Sequence, residues 1–179
     1  MTRVPLVPAE SSDAVAAVYR AVTEQGGALP NLYRVLANAP AMLTAWTAMA
    51  WPLRADCSTP RRLREITILR VAQLNGSDYE WAHHQPMALA SGVTAAQIEA
   101  LAEYSTSDVF DQTQRAVLAV MDELTATGRL STGNFAALEQ EFDPGCLVEI
   151  ILTISFYSCV SRFLAAFEID LEPATGRTE

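Results

Sequence analysis

The sequence predicts an all-α protein, a single helical domain carrying an N-terminal helical extension. Three observations predict it. Half of the 179 residues are hydrophobic while aromatics are only 8%, so Ala- and Leu-rich segments of high helix propensity dominate. No stretch alternates apolar and polar residues with period two, the mark of a half-buried strand. Helix start and stop residues recur along the whole chain.

The elements follow in order. Residues 1–10 hold Pro5 and Pro8 and read as an irregular arm. Ser11 or Ser12 caps a helix over 13–24, ended by Gly26-Gly27. Arm and helix, 1–27, form the extension, and 28–179 form the main domain. Leu29-Pro30-Asn31 opens a second helix running to Asn38. Pro40 restarts it, with Trp46 on one face, and Trp51-Pro52 stops it. Thr59 followed by Pro60 reads as a cap with proline in the first turn. The helix 60–74 then places Leu63, Ile66, Ile68, Leu69, Val71, Ala72 and Leu74 almost all round, as a buried helix does. After Asn75-Gly76 a helix over 78–91 stops at Gly92. Thr94 caps 95–103. Ser107-Asp108 starts a helix over 108–127, which ends at Gly128. Ser131 and Thr132 cap 134–142, Pro144-Gly145 is a break, and 146–168 is a last helix rich in Ile, Leu and Phe.

The charge balance is 12 basic against 21 acidic residues, a net charge of −9. Such a chain lacks the basic stripe that phosphate neutralisation needs, so nucleic acid is not an expected partner. The local cluster Arg61, Arg62, Arg64 either meets a substrate carboxylate, is a solvated helix start, or makes ion pairs within an oligomer. The cysteines are Cys57, Cys146 and Cys159. Their odd number and the absence of CxxC argue against a disulfide framework and against a dithiol redox motif; they read as reduced cytoplasmic thiols. Met1–Glu10 lacks the apolar core of a signal peptide. The run Ile150–Ser161 is too short to span a bilayer and is bracketed by Glu149 and Arg162. A cytoplasmic protein without a membrane partner is the expectation.

Chemistry concentrates in residues 61–92. Glu65 is the one carboxylate of an otherwise apolar helix, with Ile68, Leu69 and Ala72 on its face. A lone buried charge is costly, so Glu65 either pairs with Arg61, Arg62 or Arg162, or titrates in a range useful for acid–base work. Asn75-Gly76 can reverse the chain. Without the reversal, Glu65 and His84 would lie about 28 Å apart along one helix axis. With it, they can share a site.

Past the turn, Ser77 and Glu80 fit a capping box, which by itself explains both residue types. Glu80 and His84 are also one helical turn apart, so the carboxylate can hold the imidazole in one tautomer. Tyr79 and His83 form a second such pair. The free N–H groups at this helix start suit a substrate carboxylate or a developing enolate. Adjacent histidines diverge by about 100° on a helix and chelate one ion poorly, so no metal is expected. Trp46, Trp51 and Trp81, with Met42, Met49 and Met87, read as core rather than pocket. Ser155, Ser158 and Ser161, spaced by three in the last helix, allow close helix contact, as at a subunit interface.

From Arg62 the chain reads R-x-x-E-I-T-I-L-R-V-A, then N-G-S-D-Y-E-W-A-H-H and A-L-A-S-G-V-T. These motifs resemble the carboxymuconolactone decarboxylase family of the alkylhydroperoxidase D-like superfamily. In the peroxidase branch of that superfamily a glutamate stands at Glu65, a histidine at His84, and the thiols of a CxxC at Ser77 and Glu80. Serine and glutamate cannot replace a thiolate and its resolving thiol, so the resemblance runs to the decarboxylase branch, with its Tyr-Glu-Trp-x-x-His form.

The resemblance implies an all-helical, cofactor-free lyase forming trimers or hexamers and acting on a small acidic lactone or keto acid. Residues and resemblance together nominate Glu65, Glu80, His84 and Tyr79 as catalytic, and Ser77, His83, Trp81 and Arg62 as substrate-binding. Isomerisation or ring closure by the same groups, a thiol-dependent redox activity, and a non-catalytic oligomeric binding protein are the alternatives.

Overall fold

The computed structural model describes residues 1–24 and 28–173; the Gly26-Gly27 stop lies outside them. The regular elements among the described residues are all helical: α1 (Asp13–Glu24), α2 (Asn31–Leu36), α3 (Pro40–Ala55), α4 (Arg61–Asn75), α5 (Asp78–Ala90), α6 (Ala95–Glu99), α7 (Gln112–Thr127), α8 (Thr132–Glu139) and α9 (Pro144–Phe167). Short 3₁₀ turns, Ala9–Ser11 and Leu101–Glu103, precede α1 and follow α6. The contacts divide the chain into two units, one of Met1–Trp51 with Leu164–Glu179 and one of Pro52–Phe163.

In the first unit the N-terminal arm is tied down by polar contacts. Thr2 N donates to Asp170 Oδ2 at 2.7 Å, Arg3 N to Phe167 O at 2.9 Å, and Asn38 Nδ2 to Pro5 O at 2.8 Å. The Tyr19 hydroxyl donates to Val7 O at 3.0 Å, and Val15, Tyr19 and Val22 form the buried stripe of α1. The spacing of that stripe, one residue per turn, is that of a helix with one buried face.

The second unit is built around α4, whose residues Leu63 to Ala72 are all buried. Leu74, expected inside, is 41% exposed at the helix end. α4 packs on α5 and on α7, and α7 contributes Val117, Leu118, Val120 and Met121 to the core. Truncating such a residue to alanine typically costs 2–5 kcal/mol, from lost transfer free energy and the cavity left behind.

Several boundaries differ from those the sequence suggests, each for a local reason. α3 runs through Trp51-Pro52, with Pro52 inside the helix. Its last carbonyls are held from outside: Arg61 Nη1 and Arg64 Nη2 donate to Arg54 O at 2.6 and 3.2 Å, cations on the negative end of a helix dipole. The Thr59 hydroxyl does not cap α4. Glu149 of α9 instead takes the Ser58 and Thr59 N–H groups, each at 2.8 Å. α7 starts at Gln112 and not at 108, because Asp111 and Gln114 make a reciprocal capping box. The preceding loop is gathered by Arg115, which donates to Ser105, Ser107 and Phe110 carbonyls. Pro144-Gly145 opens α9 rather than breaking the chain, with Asp143 accepting from Cys146 N at 2.9 Å; proline suits a first helical turn because its missing N–H would have no helical partner there.

α9 is also longer than the apolar run that marked it. Its 24 residues are long and apolar enough to cross a membrane by length and composition. Within the second unit, however, Ile150, Ile154, Tyr157, Val160 and Ser161 are buried, the profile of a core helix.

Candidate active site

The site grows from the turn between α4 and α5. Gly76 adopts a left-handed φ of 62° and its N–H bonds back to Ala72 O and Gln73 O, a conformation that costs glycine little and other residues more. Ser77 then caps α5: its hydroxyl accepts from Glu80 N at 3.4 Å. The reversal lays α5 along α4 and sets Glu65 beside His84.

Glu65 Oε2 lies 2.8 Å from His84 Nδ1, and Arg61, one turn before Glu65, forms an ion pair with Oε1. Glu65 is fully buried and His84 is 4% exposed. Burial pushes the Glu65 carboxyl up, but the His84 hydrogen bond, the His84 ring and the Arg61 guanidinium outweigh it and hold the group below its usual range. Burial lowers His84, against the opposing pull of Glu65. An ionised carboxylate can only accept, so the neutral ring carries its proton on Nδ1, leaving Nε2 as the basic nitrogen.

The expected partnership of Glu80 with His84 is not the one formed. Glu80 is bonded instead to the Ser161 hydroxyl of α9, and His84 belongs to Glu65. The helix pitch placed Glu80 and His84 on one face, but packing turned one toward α9 and the other toward α4. Glu80 is 2% exposed. Burial raises its carboxyl to about 7, with the Ser161 and Ser77 hydroxyls offsetting part of the rise.

Three residues that sequence reasoning did not place here complete the cluster. Tyr157 of α9 sets its ring edge-on to His84, centroids 5.0 Å apart at 89°. The Arg54 guanidinium acts on the Tyr157 hydroxyl and on His84. Ser161 belongs to the small-residue stripe of α9, in which it and Ser158 are buried while Ser155 is exposed. The only signal for Ser161 was its position as a small polar residue in an apolar helix.

The nominated substrate-binding residues separate. Ser77 and Trp81 line a hollow of about 320 Å³ at the start of α5, with Ala72, Gln73, Gly76 and Asp78. Arg62 lines a different hollow of about 240 Å³ with Asp111 and Gln114, and donates to Gln97 Oε1 at 3.1 Å. His83 packs its ring on Tyr79, centroids 4.6 Å apart. Neither of these two hollows is lined by Glu65 or His84. Ser77 lines the first hollow, and its hydroxyl accepts from Glu80 N. Among the described residues no group of three or more His, Cys, Asp or Glu is placed to hold a metal ion.

Residues 40–123 match the model of the carboxymuconolactone decarboxylase family, a span that includes α4, the Gly76 turn and α5. That segment is carboxymuconolactone decarboxylase-like. The debrominase Bmp8 in complex with 2,3,4-tribromopyrrole superposes with a TM-score of 0.81 at 22% identity, over 97% of this chain and 95% of that one. An alkylhydroperoxidase AhpD core protein from Ralstonia eutropha JMP134, described as an uncharacterized peroxidase-related protein, superposes with a TM-score of 0.83 at 19% identity, covering 96% and 92% of the two chains. An uncharacterized peroxidase-related protein from Silicibacter sp. TM1040 gives 0.81 at 21% identity, covering 96% and 92%. At these identities the likeness establishes the alkylhydroperoxidase D-like helical fold. No curated protein matches the chain significantly.

No thiol stands in the α4–α5 cluster. Burial raises Cys57, and burial with the nearby Asp143 and Glu149 raises Cys146, which disfavours the thiolate at both. Cys159 is exposed on α9.

Proposed function

We propose that the chain is a cofactor-independent acid–base enzyme of the decarboxylase type, acting on a small acidic lactone or keto acid in the hollow at the start of α5. The observation that carries this reading is a pair of carboxylates one helix apart with opposite environments. Glu65 is held ionised by Arg61 and His84, and Glu80 is buried among hydroxyls with its pKa pushed to about 7. Two titrating groups driven apart by their surroundings are how one site keeps an acid and a base at the same pH.

In the proposed step the substrate C–C bond to its carboxylate breaks. CO₂ leaves, and the electron pair passes into an enolate. Glu80 gives its proton to the Ser77 hydroxyl as Ser77 gives its own to the enolate carbon, so one C–H bond replaces one O–H bond. The carboxylate left on Glu80 regains a proton from water once product has gone. His84, fixed by Glu65 as the Nδ1–H tautomer, takes no proton in this step; its bond to Glu65 ties α5, which carries Glu80, to α4. The likeness of fold to a debrominase and to peroxidase-related proteins suggests the thiol-based alternative, but Ser77 and Glu80 carry no sulfur.

The test is CO₂ release from carboxymuconolactone and from a panel of small lactone acids and β-keto acids, with solvent-deuterium uptake into product. Glu80→Gln is expected to cost about 10²- to 10⁴-fold in rate, and a triple Cys57, Cys146, Cys159→Ser variant is expected to keep its activity. Turnover near wild type in Glu80→Gln, or loss of it in the cysteine-free variant, overturns the assignment.

A further inference from the structure

The contact between Glu80 and Ser161 has a direction set by hydrogen counting. Ser161 Oγ touches Glu80 Oε2 and also lies 3.1 Å from the carbonyl oxygen of Tyr157, one turn earlier on α9. A serine hydroxyl has one hydrogen to give, and a carbonyl can only accept. With that hydrogen on Tyr157 O, the contact to Glu80 needs a hydrogen from the carboxyl, so Glu80 is the neutral acid. With Glu80 ionised, the Ser161 hydrogen must turn to Oε2. Asn75 Nδ2 lies 3.4 Å from Ser161 Oγ and donates to it in either state. Glu80 and Ser161 are each 2% exposed, so bulk water does not settle the choice for them.

Glu65, Arg61, His84 and Tyr157, on the helices that carry or contact Glu80, have partners of their own. On α4, Glu65 and Arg61 pair with each other, and Glu65 with His84. On α5, His84 turns to Glu65 and Asp78 faces the hollow. On α9, the Tyr157 ring meets His84. Two hydroxyls bond the Glu80 carboxyl, Ser77 on the hollow side and Ser161 of α9.

We propose that Ser161 is the positioning residue that makes Glu80 a reversible proton carrier: its single hydroxyl hydrogen rests on the Tyr157 carbonyl while Glu80 is protonated, and rotates to Glu80 Oε2 when the proton leaves through Ser77. The inference rests on the proton-transfer reading and says how that carboxyl is charged and recharged. No covalent bond of Ser161 breaks; its O–H rotates, and the proton that moves is the one on Glu80.

The test reads Glu80 directly, without substrate. The carboxylic-acid C=O stretch in the infrared is followed against pH and assigned by its loss in E80Q. Wild type is expected to lose the band near neutral pH. Ser161→Ala removes the donor to the ionised form, so its midpoint is expected to rise by about one pH unit, the equivalent of one hydrogen bond to a charged group. Ser161→Thr keeps the hydroxyl and is expected to titrate as wild type. If the alanine variant does not fold by circular dichroism, Ser161→Cys, a weaker donor of similar size, is expected to shift the midpoint in the same direction by less. A midpoint that is unmoved or lowered in a folded Ala or Cys variant, or a wild type without a titrating band, overturns the proposal. A shifted midpoint in a protein that releases no CO₂ from the panel supports the Ser161 role and counts against the decarboxylase reading alone.

Discussion

Glu65 Oε2 and His84 Nδ1 stand 2.8 Å apart although 19 positions separate them in the chain, and both are closed from solvent. The left-handed Gly76 turn brings them together, and Arg61 completes the ionic side of the pair.

The first prediction concerns acid. Burial lowers the His84 pKa in the folded chain, and Glu65 is also held below its ordinary value. Groups whose folded pKa is depressed contribute stability above their unfolded pKa and lose it as pH falls through the folded value. Unfolded histidine takes up its proton at about 6.5, so the His84 contribution is expected to fall as pH drops below that value, against the opposite trend from Glu80. His84→Gln is expected to flatten that limb, as measured by urea unfolding at pH 7 and pH 5. An equally steep loss in the variant would remove His84 from the account.

Glu80 has the opposite sign. Its folded pKa of about 7 lies above the ordinary 4.5, so the fold holds the proton that the unfolded chain releases. This contribution is fully present below pH 4.5, is lost progressively as pH rises to about 7, and changes little beyond. The size is on the order of 3 kcal/mol. Glu80→Gln copies the shape of the neutral acid and is expected to unfold later than wild type at pH 8, with the difference vanishing toward pH 4.5. Thermal melts across that range test it, and a Gln variant less stable at pH 8 would contradict it.

Tyr157 is expected to show two separable contributions. Tyr157→Phe keeps the edge-on ring against His84 and removes only the hydroxyl beside Arg54; about 1–2 kcal/mol is the expected loss. Tyr157→Ala empties a fully buried site in the core and is expected to cost about 3–5 kcal/mol. Chemical denaturation of both variants checks the ordering. Equal losses would mean that the ring contributes no packing.

Gly76→Ala tests the turn itself. A Cβ at Gly76 would meet nothing within 4 Å, so only the φ of 62° opposes the substitution. The expected cost is about 1–2 kcal/mol, the strain of a left-handed alanine, with the infrared titration of Glu80 unchanged. A shift in that titration would show that the turn moves the cluster.

Much of this was legible in the chain. The apolar circumference of α4 announced a buried helix, Asn75-Gly76 announced the reversal, and Ser77 announced the start of α5. These signals are local: periodicity, left-handed tolerance and capping each act within a turn or two of sequence. The boundaries that differed, at Pro52, Ser107-Asp108 and Pro144-Gly145, depended on partners elsewhere, such as Arg61 and Arg64 on the end of α3 or Arg115 gathering the loop before α7.

The candidate site divides in the same way. Glu65, Glu80 and His84 stood out as polar groups beside a turn, and their proximity followed from helix geometry. Which carboxylate takes the imidazole did not, because Glu80 and Glu65 were both within reach of His84 by spacing. That choice was made by α9, whose Ser161 captured Glu80 81 positions away in sequence, and by Arg61, which fixed the charge on Glu65. The chain by itself determined helices, their turn and a reservoir of titratable groups. Only packing decided who bonds to whom, since a buried polar group must find its partner among whatever side chains the tertiary fold brings within hydrogen-bond distance.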